Sequence, residues 1–92
     1  MIKNFKDKHT EEFFSGRTVK QFSGFKKAAE RKLIMLDSAT ELRDLLAPPA
    51  NRLEKLKGDR AGQHSIRIND QWRICFVWKP DGPYDVEMTD YH

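Results

Sequence analysis

The stretch 65–78, with the sequence SIRINDQWRICFVW, decides the fold of this 92-residue chain. Apolar side chains stand at its even-numbered positions, namely Ile66, Ile68, Trp72, Ile74, Phe76 and Trp78. Such alternation is typical of β-strands that bury one face. The spacing predicts two strands, 65–68 and 72–78, that form a hairpin and pack their even-numbered face on the core.

The connection between these strands determines which side chains face each other. A two-residue turn at 69–70 would mix polar and apolar side chains on both faces of the sheet. A three-residue connection, 69–71, sets Arg67 opposite Arg73 on one face and gathers the apolar residues on the other. We therefore predict the three-residue connection, which places two arginines together on the face opposite the core.

A helical half precedes this hairpin and ends at the pair Pro48-Pro49, because consecutive prolines cannot continue a helix. Apolar spacing of three and four residues predicts an amphipathic helix over 23–36. A short helix is expected over 10–14 with Thr10 as its N-cap. The stretch 38–41, SATE, has the capping-box pattern and predicts a third short helix.

Two further segments are expected to join the sheet. Residues 1–5 predict a short strand with Ile2 as its apolar contact. After the turn at 79–83, Val86 and Met88 repeat the alternation of the hairpin. The chain thus combines a helical half with a strand-rich half.

Length and composition predict a single domain over residues 1–92 and exclude a multidomain enzyme. No apolar run approaches the roughly 20 residues that span a bilayer, so we expect no membrane association. The amino-terminal sequence lacks the apolar stretch of a secretory signal, and the one cysteine, Cys75, cannot form an internal disulfide. We therefore expect a cytoplasmic location.

The net charge of +3 hides a local excess of basic residues. Residues 52–73 carry six basic and three acidic side chains, whereas 74–92 carry one and four. A concave surface that gathers these cations would attract a phosphate backbone. The candidate RNA-binding residues are Arg52, Lys55, Arg60 and Arg67. The alternative is a solvated face on which Glu54, Asp59 and Asp70 neutralise most of the charge.

The chain ends in Asp90, Tyr91 and His92, which are all able to move protons. Metal-independent RNA cleavage needs a base for the ribose 2′-OH, cations for the phosphorane and an acid for the departing oxygen. Histidine titrates in a suitable range. The alternative is a frayed terminus without a role.

Other chemistry receives little support from the sequence. No cluster of cysteine and histidine has metal-ligand spacing, so we predict neither a metal nor another cofactor. Cys75 is expected to be a packing residue rather than a nucleophile. Trp72 and Trp78 belong to the apolar stripe and are expected to pack on the core.

Three strings in this order resemble the HigB toxins of the RelE superfamily: LKGDRAG at 56–62, SIRINDQWR at 65–73 and the terminal DYH. The resemblance covers essentially the whole chain. It implies an α+β fold of the microbial-ribonuclease type, with two or three helices packed on one face of a small antiparallel sheet. It also implies a ribosome-dependent mRNA endonuclease, which cuts through metal-independent attack of a 2′-OH on the adjacent phosphate.

The resemblance implies partners as well. These are a HigA-like helix-turn-helix antitoxin, mRNA, and the rRNA of the small ribosomal subunit. Operator DNA would be bound only through the antitoxin complex. The alternatives left open are a non-catalytic RNA- or ribosome-binding module on the same fold and a basic domain that binds only a protein.

Carried over position by position, the family's catalytic residues match Lys57, Arg73, Asp90, Tyr91 and His92. The resemblance implies that Arg73 holds the phosphate, that His92 carries a proton, and that Lys57 stabilises developing charge. Tyr91 would position the scissile nucleotide, and Asp90 would orient His92.

The chain departs from the family pattern in two places. Some relatives carry a histidine shortly before the family lysine, where this chain has Glu54 and Lys55. Asn69 stands where some relatives carry an arginine. We assign the missing cation to Arg67 from strand alternation, and Glu54 is not taken as a replacement for the imidazole.

Overall fold

The computed structural model of the protein describes residues 1–90. Within these residues the chain forms a four-stranded antiparallel sheet in the order β1-β2-β3-β4. Its strands are β1 Glu54–Lys55, β2 His64–Arg67, β3 Arg73–Lys79 and β4 Gly82–Thr89.

The β2–β3 hairpin has the predicted register. Arg67 lies opposite Arg73, and the backbone N–H of Ile68 donates to the carbonyl of Trp72 at 2.9 Å. The Asn69 side-chain oxygen accepts from the backbone N–H groups of Gln71 and Trp72 at 2.8 and 2.7 Å. Asparagine thereby closes the three-residue connection with its own side chain, as this residue commonly does in turns.

The even-numbered face of the sheet forms one side of the core. Ile66, Ile74, Phe76 and Val86 are fully buried, as the alternation predicts. Trp72 and Trp78 are half-buried and pack against this core. Trp72 contacts the ring of Phe22 edge-on, with centroids 5.6 Å apart.

Two α-helices cover this face, α1 Lys8–Phe14 and α2 Lys26–Ser38. Three α2 side chains, those of Ala29, Leu33 and Leu36, are fully buried against the sheet. The amphipathic helix is confirmed, although its first residues belong to a 3₁₀ helix, Lys20–Phe25. This arrangement is the expected α+β class.

The predicted N-cap of α1 is wrong. Asp7 caps the helix, since its carboxylate accepts from the backbone N–H of Thr10 at 3.2 Å. Thr10 is instead fully buried, and its hydroxyl accepts from the backbone N–H of Met88 at 3.0 Å. The partner lies 78 residues away along the chain, so nothing in the local sequence identifies it.

The predicted capping box is also misplaced by three residues. Ser38 is the last residue of α2, because the apolar spacing of that helix continues to Leu36. The capping box instead joins Glu41 and Asp44 at the start of a 3₁₀ helix, Leu42–Leu46. The short third helix therefore exists, but it is a 3₁₀ helix.

The amino-terminal segment runs beside β4 without forming the predicted strand. Phe5 makes an isolated parallel bridge to Val86, and the N–H of Lys6 donates to the Val86 carbonyl at 3.0 Å. The pairing stays local because β4 is irregular at Asp85, whose φ is 53°. Asn4 accepts from the N–H of Asp85 at 2.7 Å.

The proline break continues into a 3₁₀ turn, Pro49–Asn51, followed by Arg52 with φ 45° and ψ 54°. This left-handed conformation costs a residue with a Cβ atom about 1–2 kcal/mol. Contacts of the turn with the rest of the fold must offset that cost. One of them is the hydrogen bond from Arg73 in β3 to the Arg52 carbonyl. Among residues 1–90 no helix is long and apolar enough to cross a bilayer.

Candidate functional site

The face of the sheet opposite the helices, here called the outer face, carries two rows of cross-strand neighbours. The first row consists of Arg67, Arg73 and Thr89. The second row consists of Glu54, Ser65, Cys75 and Glu87. Strand alternation therefore gathers arginines and carboxylates on the surface that the core leaves free.

Arg73 is the first residue of β3, and hydrogen bonds hold its side chain in one orientation on this face. Its Nε donates to the hydroxyl of Ser65 at 2.7 Å, and its Nη2 donates to the Arg52 carbonyl at 2.7 Å. A longer contact, 3.4 Å, joins Nη2 to the Ser65 carbonyl. Within residues 1–90 its Nη1 makes no hydrogen bond, so one edge of the guanidinium remains available for an anion.

A carboxylate lies beside this arginine. The Glu54 oxygen is 3.9 Å from the Arg73 Nε, and the Glu54 side chain is about half exposed. The separation is long for a charge-assisted hydrogen bond, so Glu54 adds attraction without occupying the guanidinium. Glu54 is a departure from the family pattern and is not predicted as a site residue. In the structure it lies beside Arg73 on the outer face.

Arg60 reaches the outer face from the turn Gly58–Arg60. Its Nη1 donates to Glu87 at 3.1 Å and to the Gln63 side chain at 3.0 Å. Both members of the ion pair are mostly covered, with 24% and 20% of their side chains exposed. The pair therefore fixes Arg60 against β4 and lowers the net charge of this part of the face.

The expected facing of Arg67 and Arg73 is confirmed, but the two arginines do not stand unneutralised. Arg67 forms an ion pair with Asp70 in the loop that follows β2. Asp70 is fully exposed, so water and salt weaken this pair. The alternative of a partly neutralised face thus holds for Arg67, whereas Asp59 forms no salt bridge within residues 1–90.

Three other cations predicted for the site do not point their side chains into the row of Arg67 and Arg73. Arg52 contributes its carbonyl to Arg73, and its side chain is exposed. Lys57 is exposed at the start of the turn that carries Arg60. Lys55 pairs with His64 in the row of Phe76, so alternation turns it toward the helix side of the sheet rather than the outer face.

Lys55 instead affects His64. Burial lowers the pKa of His64 below its usual range, and the positive charge of Lys55 lowers it further. The His64 ring stacks on Phe76 with centroids 6.3 Å apart, and its Nδ1 is buried without a partner within residues 1–90. The imidazole is therefore neutral near pH 7 and lies away from Arg73.

Among the three carboxyl-terminal candidates, the structure describes Asp90. The Gln71 side-chain amide donates to Asp90 at 2.7 Å, which ties the end of the chain to the loop beside Arg67. Thr89 pairs directly with Arg73. Tyr91 and His92 lie outside the described residues, so their roles stay predictions.

Cys75 lies under the outer face and is fully buried. Burial raises the pKa of its thiol to about 11, although Arg60 and Arg73 lower it in part. A thiol with this pKa is almost entirely protonated at neutral pH, so it does not act as a nucleophile there.

Two residues of the outer face were missed from the sequence. Ser65 shares odd parity with Arg67 and Arg73, and that parity is the signal that would have found it. Lys6 is exposed, and its charge reaches Cys75 from the β4 edge. The sequence indicates the position of Lys6 less clearly. Its outward direction follows only if the neighbouring Phe5 faces inward, as it does against Phe14.

No group of three or more His, Cys, Asp or Glu side chains that could hold a metal ion occurs in the described part of the chain.

Comparison with known proteins gives consistent matches along the chain. The profile of the HigB-like toxin family, described as RelE-like toxin of type II toxin-antitoxin system HigB, matches residues 3–92. Toxin HigB-1 of Vibrio cholerae is 41% identical over 80 residues, which cover 85% of this chain and 84% of that protein. Endoribonuclease HigB of Proteus vulgaris is 38% identical over 61 residues, covering 66% and 65% of the two chains.

The fold matches solved structures as well. Two structures of the YoeB–YefM complex from Staphylococcus aureus match with TM-scores of 0.63 and 0.64. Each match has 20% sequence identity and covers 100% of this chain and 98% of the other. These likenesses support the fold, and the profile together with the Vibrio relative supports the family. The chain belongs to the HigB-like family of RelE-like toxins of type II toxin–antitoxin systems.

Proposed function

We propose that this protein is a toxin that cleaves mRNA on the ribosome. The family assignment and the relative named Endoribonuclease HigB support RNA cleavage as the activity. The observation that carries the proposal is Arg73, a cation fixed by Ser65 and the Arg52 carbonyl with its Nη1 edge available. A preorganised cation of this kind is what a developing phosphorane needs.

The proposed reaction is attack of a ribose 2′-OH on the adjacent phosphate. The 2′-oxygen loses its proton and bonds to phosphorus, and the bond from phosphorus to the 5′-oxygen breaks. The departing 5′-oxygen takes up a proton, which leaves a 2′,3′-cyclic phosphate and a new 5′-OH end. Arg73 binds the phosphate oxygens, and Lys57 adds positive charge.

Proton transfer is assigned to the end of the chain. Thr89 lies opposite Arg73, and three residues of chain reach at most about 11 Å beyond it. This reach is compatible with His92 as proton carrier and Tyr91 as a stacking surface for the scissile nucleotide. Asp90 orients His92 in this scheme while Gln71 holds Asp90 in place.

RNA binding is assigned to the cations around Arg73. Arg60 and Arg67 lie on the same face, and the exposed side chain of Arg52 lies at its edge. Lys6 adds a cation from the β4 side. Lys55 is a peripheral contact in this scheme, because its strand position turns it to the other side of the sheet.

The proposed partners follow from the family. A HigA-like antitoxin with a helix-turn-helix domain neutralises the toxin, and operator DNA is bound only through that complex. The substrate is mRNA positioned by the rRNA of the small ribosomal subunit. A ribosomal target implies a cytoplasmic site of action.

The test is cleavage of a translated message by the purified protein, with 5′ ends mapped by primer extension. We expect new 5′-OH ends within codons at the A site. A chain truncated after Asp90 is expected to lose cleavage, and an added carboxyl-terminal tag should impair it. Full-rate cleavage by the truncated chain would overturn the assignment of Tyr91 and His92.

A second function, RNA or ribosome binding without cleavage, is favoured by the ion pairs on the outer face. Glu87, Asp70 and Glu54 each lie beside an arginine, which weakens the field that a catalytic site would use. The same assay separates the two functions. Ribosome association without new 5′-OH ends would support the binding module.

A further inference from the structure

We propose that Asn51 and Lys32 are positioning residues for Arg73, acting from the helix side of the sheet. The inference rests on the proposed function, because it concerns the orientation of the cation that binds the scissile phosphate. The Arg52 carbonyl accepts a hydrogen bond from the Arg73 Nη2 at 2.7 Å. A carbonyl is present at every residue, so its usefulness as an acceptor depends on where the backbone places it.

That backbone is held in an unfavourable conformation. Arg52 has φ 45° in the left-handed region, which residues other than glycine seldom adopt. Its N–H donates to the Pro49 carbonyl at 3.1 Å, and the N–H of Asn51 donates to the Pro48 carbonyl at 2.9 Å. These bonds close the turn locally, but they do not attach it to the rest of the fold.

The Asn51 side chain provides that attachment. Asn51 is fully buried, and its amide nitrogen donates to the carbonyls of Leu45 and Ala47 at 3.1 and 3.3 Å. The same nitrogen contacts the Met35 sulfur of α2 at 3.1 Å. One side chain thus joins the turn to the preceding 3₁₀ helix and to α2.

Lys32 completes the connection. Its ammonium donates to the side-chain oxygen of Asn51, and only 8% of the residue is exposed. Burial lowers the pKa of Lys32, and the charges of Arg31 and Arg67 lower it further. A buried ammonium is costly unless it is hydrogen-bonded, so this lysine is better explained by its bond to Asn51 than by packing alone.

The four groups form one chain of contacts from α2 to the outer face. Lys32 fixes Asn51, Asn51 fixes the turn, and the turn presents the Arg52 carbonyl to Arg73. Loss of the Asn51 side chain would release the carbonyl and leave Arg73, within residues 1–90, with its hydrogen bonds to Ser65 and the nearby Glu54 carboxylate. Misplacing a reacting group by about 1 Å is able to cost 100-fold in rate.

The test compares Asn51→Ala and Lys32→Met with the wild type, using single-turnover cleavage on programmed ribosomes. Methionine keeps the length of the lysine stem and removes the donor, so Lys32→Met guards against a folding failure of Asn51→Ala. The matched control is Thr10→Val, which removes another fully buried hydrogen bond, the one that joins α1 to the Met88 backbone in β4. We expect the maximal single-turnover rate constant to fall about tenfold to hundredfold in the two test variants, with the half-saturating toxin concentration within about twofold of the wild type.

A second readout does not depend on activity. The NMR signal of the Arg73 Nε–H, identified by its absence in Arg73→Lys, should shift or broaden in both test variants and stay in place in Thr10→Val. Test variants with a wild-type maximal single-turnover rate constant, or with an unmoved Arg73 signal, would overturn the positioning role. If the wild type itself does not cleave, the proposed function fails. The positioning role is then judged from the Arg73 signal alone, which should move in the two test variants and stay in place in Thr10→Val.

Discussion

The hydrogen bond between Arg73 and Ser65 makes a quantitative prediction. Ser65 is fully buried, and its hydroxyl accepts from the Arg73 Nε at 2.7 Å. Ser65→Ala would leave a charged donor without this acceptor, and the Arg73 side chain is only 15% exposed, so water replaces the bond poorly. A hydrogen bond to a charged group is worth about 1.5–3 kcal/mol. We expect Ser65→Ala to lower the free energy of unfolding by about 2 kcal/mol.

The same substitution should cost less where the charged donor is absent. Arg73→Met keeps an apolar stem and removes the guanidinium, so Ser65→Ala in that background is expected to cost less than about 1 kcal/mol. The coupling free energy between the two positions is then about 1–2 kcal/mol. For a domain of this size, about 2 kcal/mol corresponds to a fall in Tm of about 10 °C.

Urea unfolding followed by circular dichroism measures all four corners of this cycle. The matched control is Ser23→Ala, because the exposed Ser23 hydroxyl donates to a local carbonyl at 2.8 Å and lies away from Arg73. That control should stay within about 0.5 kcal/mol of the wild type. If the effects of Ser65→Ala and Arg73→Met add within about 0.5 kcal/mol, the bond does not hold Arg73 as described.

Three further predictions concern residues outside this pair. Because burial raises the pKa of Cys75 to about 11, its thiolate fraction at pH 8 is about 100-fold below that of a thiol at the usual value of 9.0. Labelling with a disulfide reagent should be correspondingly slow in the native protein and fast in urea, and equal rates would contradict the burial. Asp7→Ala removes the N-cap of α1 and should lower the free energy of unfolding by about 1 kcal/mol in thermal or urea unfolding, whereas an unchanged value would reject this cap. The pKa of His64 should lie below 6.5 in an NMR titration and rise in Lys55→Gln, and an insensitive midpoint would show that Lys55 does not act on it. Since the unfolded chain then binds that proton more readily than the folded chain, the His64 contribution should reduce stability as the pH falls below about 6.5.

The sheet was predictable because its signal is local and periodic. Alternation over 65–78 gave the buried face, and the need to keep that face apolar gave the register that opposes Arg67 to Arg73. The same parity predicts that Arg73 faces away from the core, and the observed register agrees. A resemblance over the whole chain supplied the family, which the profile match confirms.

The parts that were not predictable depend on distant partners or on backbone conformation. Thr10 has the residue type of an N-cap, yet its hydroxyl accepts a hydrogen bond from the backbone N–H of Met88 in β4. The acceptor for Arg73 is a backbone carbonyl, so no residue type at position 52 would identify it. Lys55 lies close to the other cations in sequence, and on that ground it is predicted to bind RNA with them. Its position in the two-residue strand β1 turns it instead to the helix side of the sheet.

The central claim is that the outer face around Arg73 cleaves RNA, and the most direct measurement is the single-turnover cleavage rate of a ribosome-bound message. Arg73→Ala should lower that rate by about 100-fold or more, since removing one preorganised donor to a developing oxyanion costs about 10²–10³. The control is Arg43→Ala, because Arg43 belongs to the helical half and pairs with Glu41 on the surface. It should cleave at the wild-type rate. Equal rates for Arg73→Ala and Arg43→Ala would contradict the account.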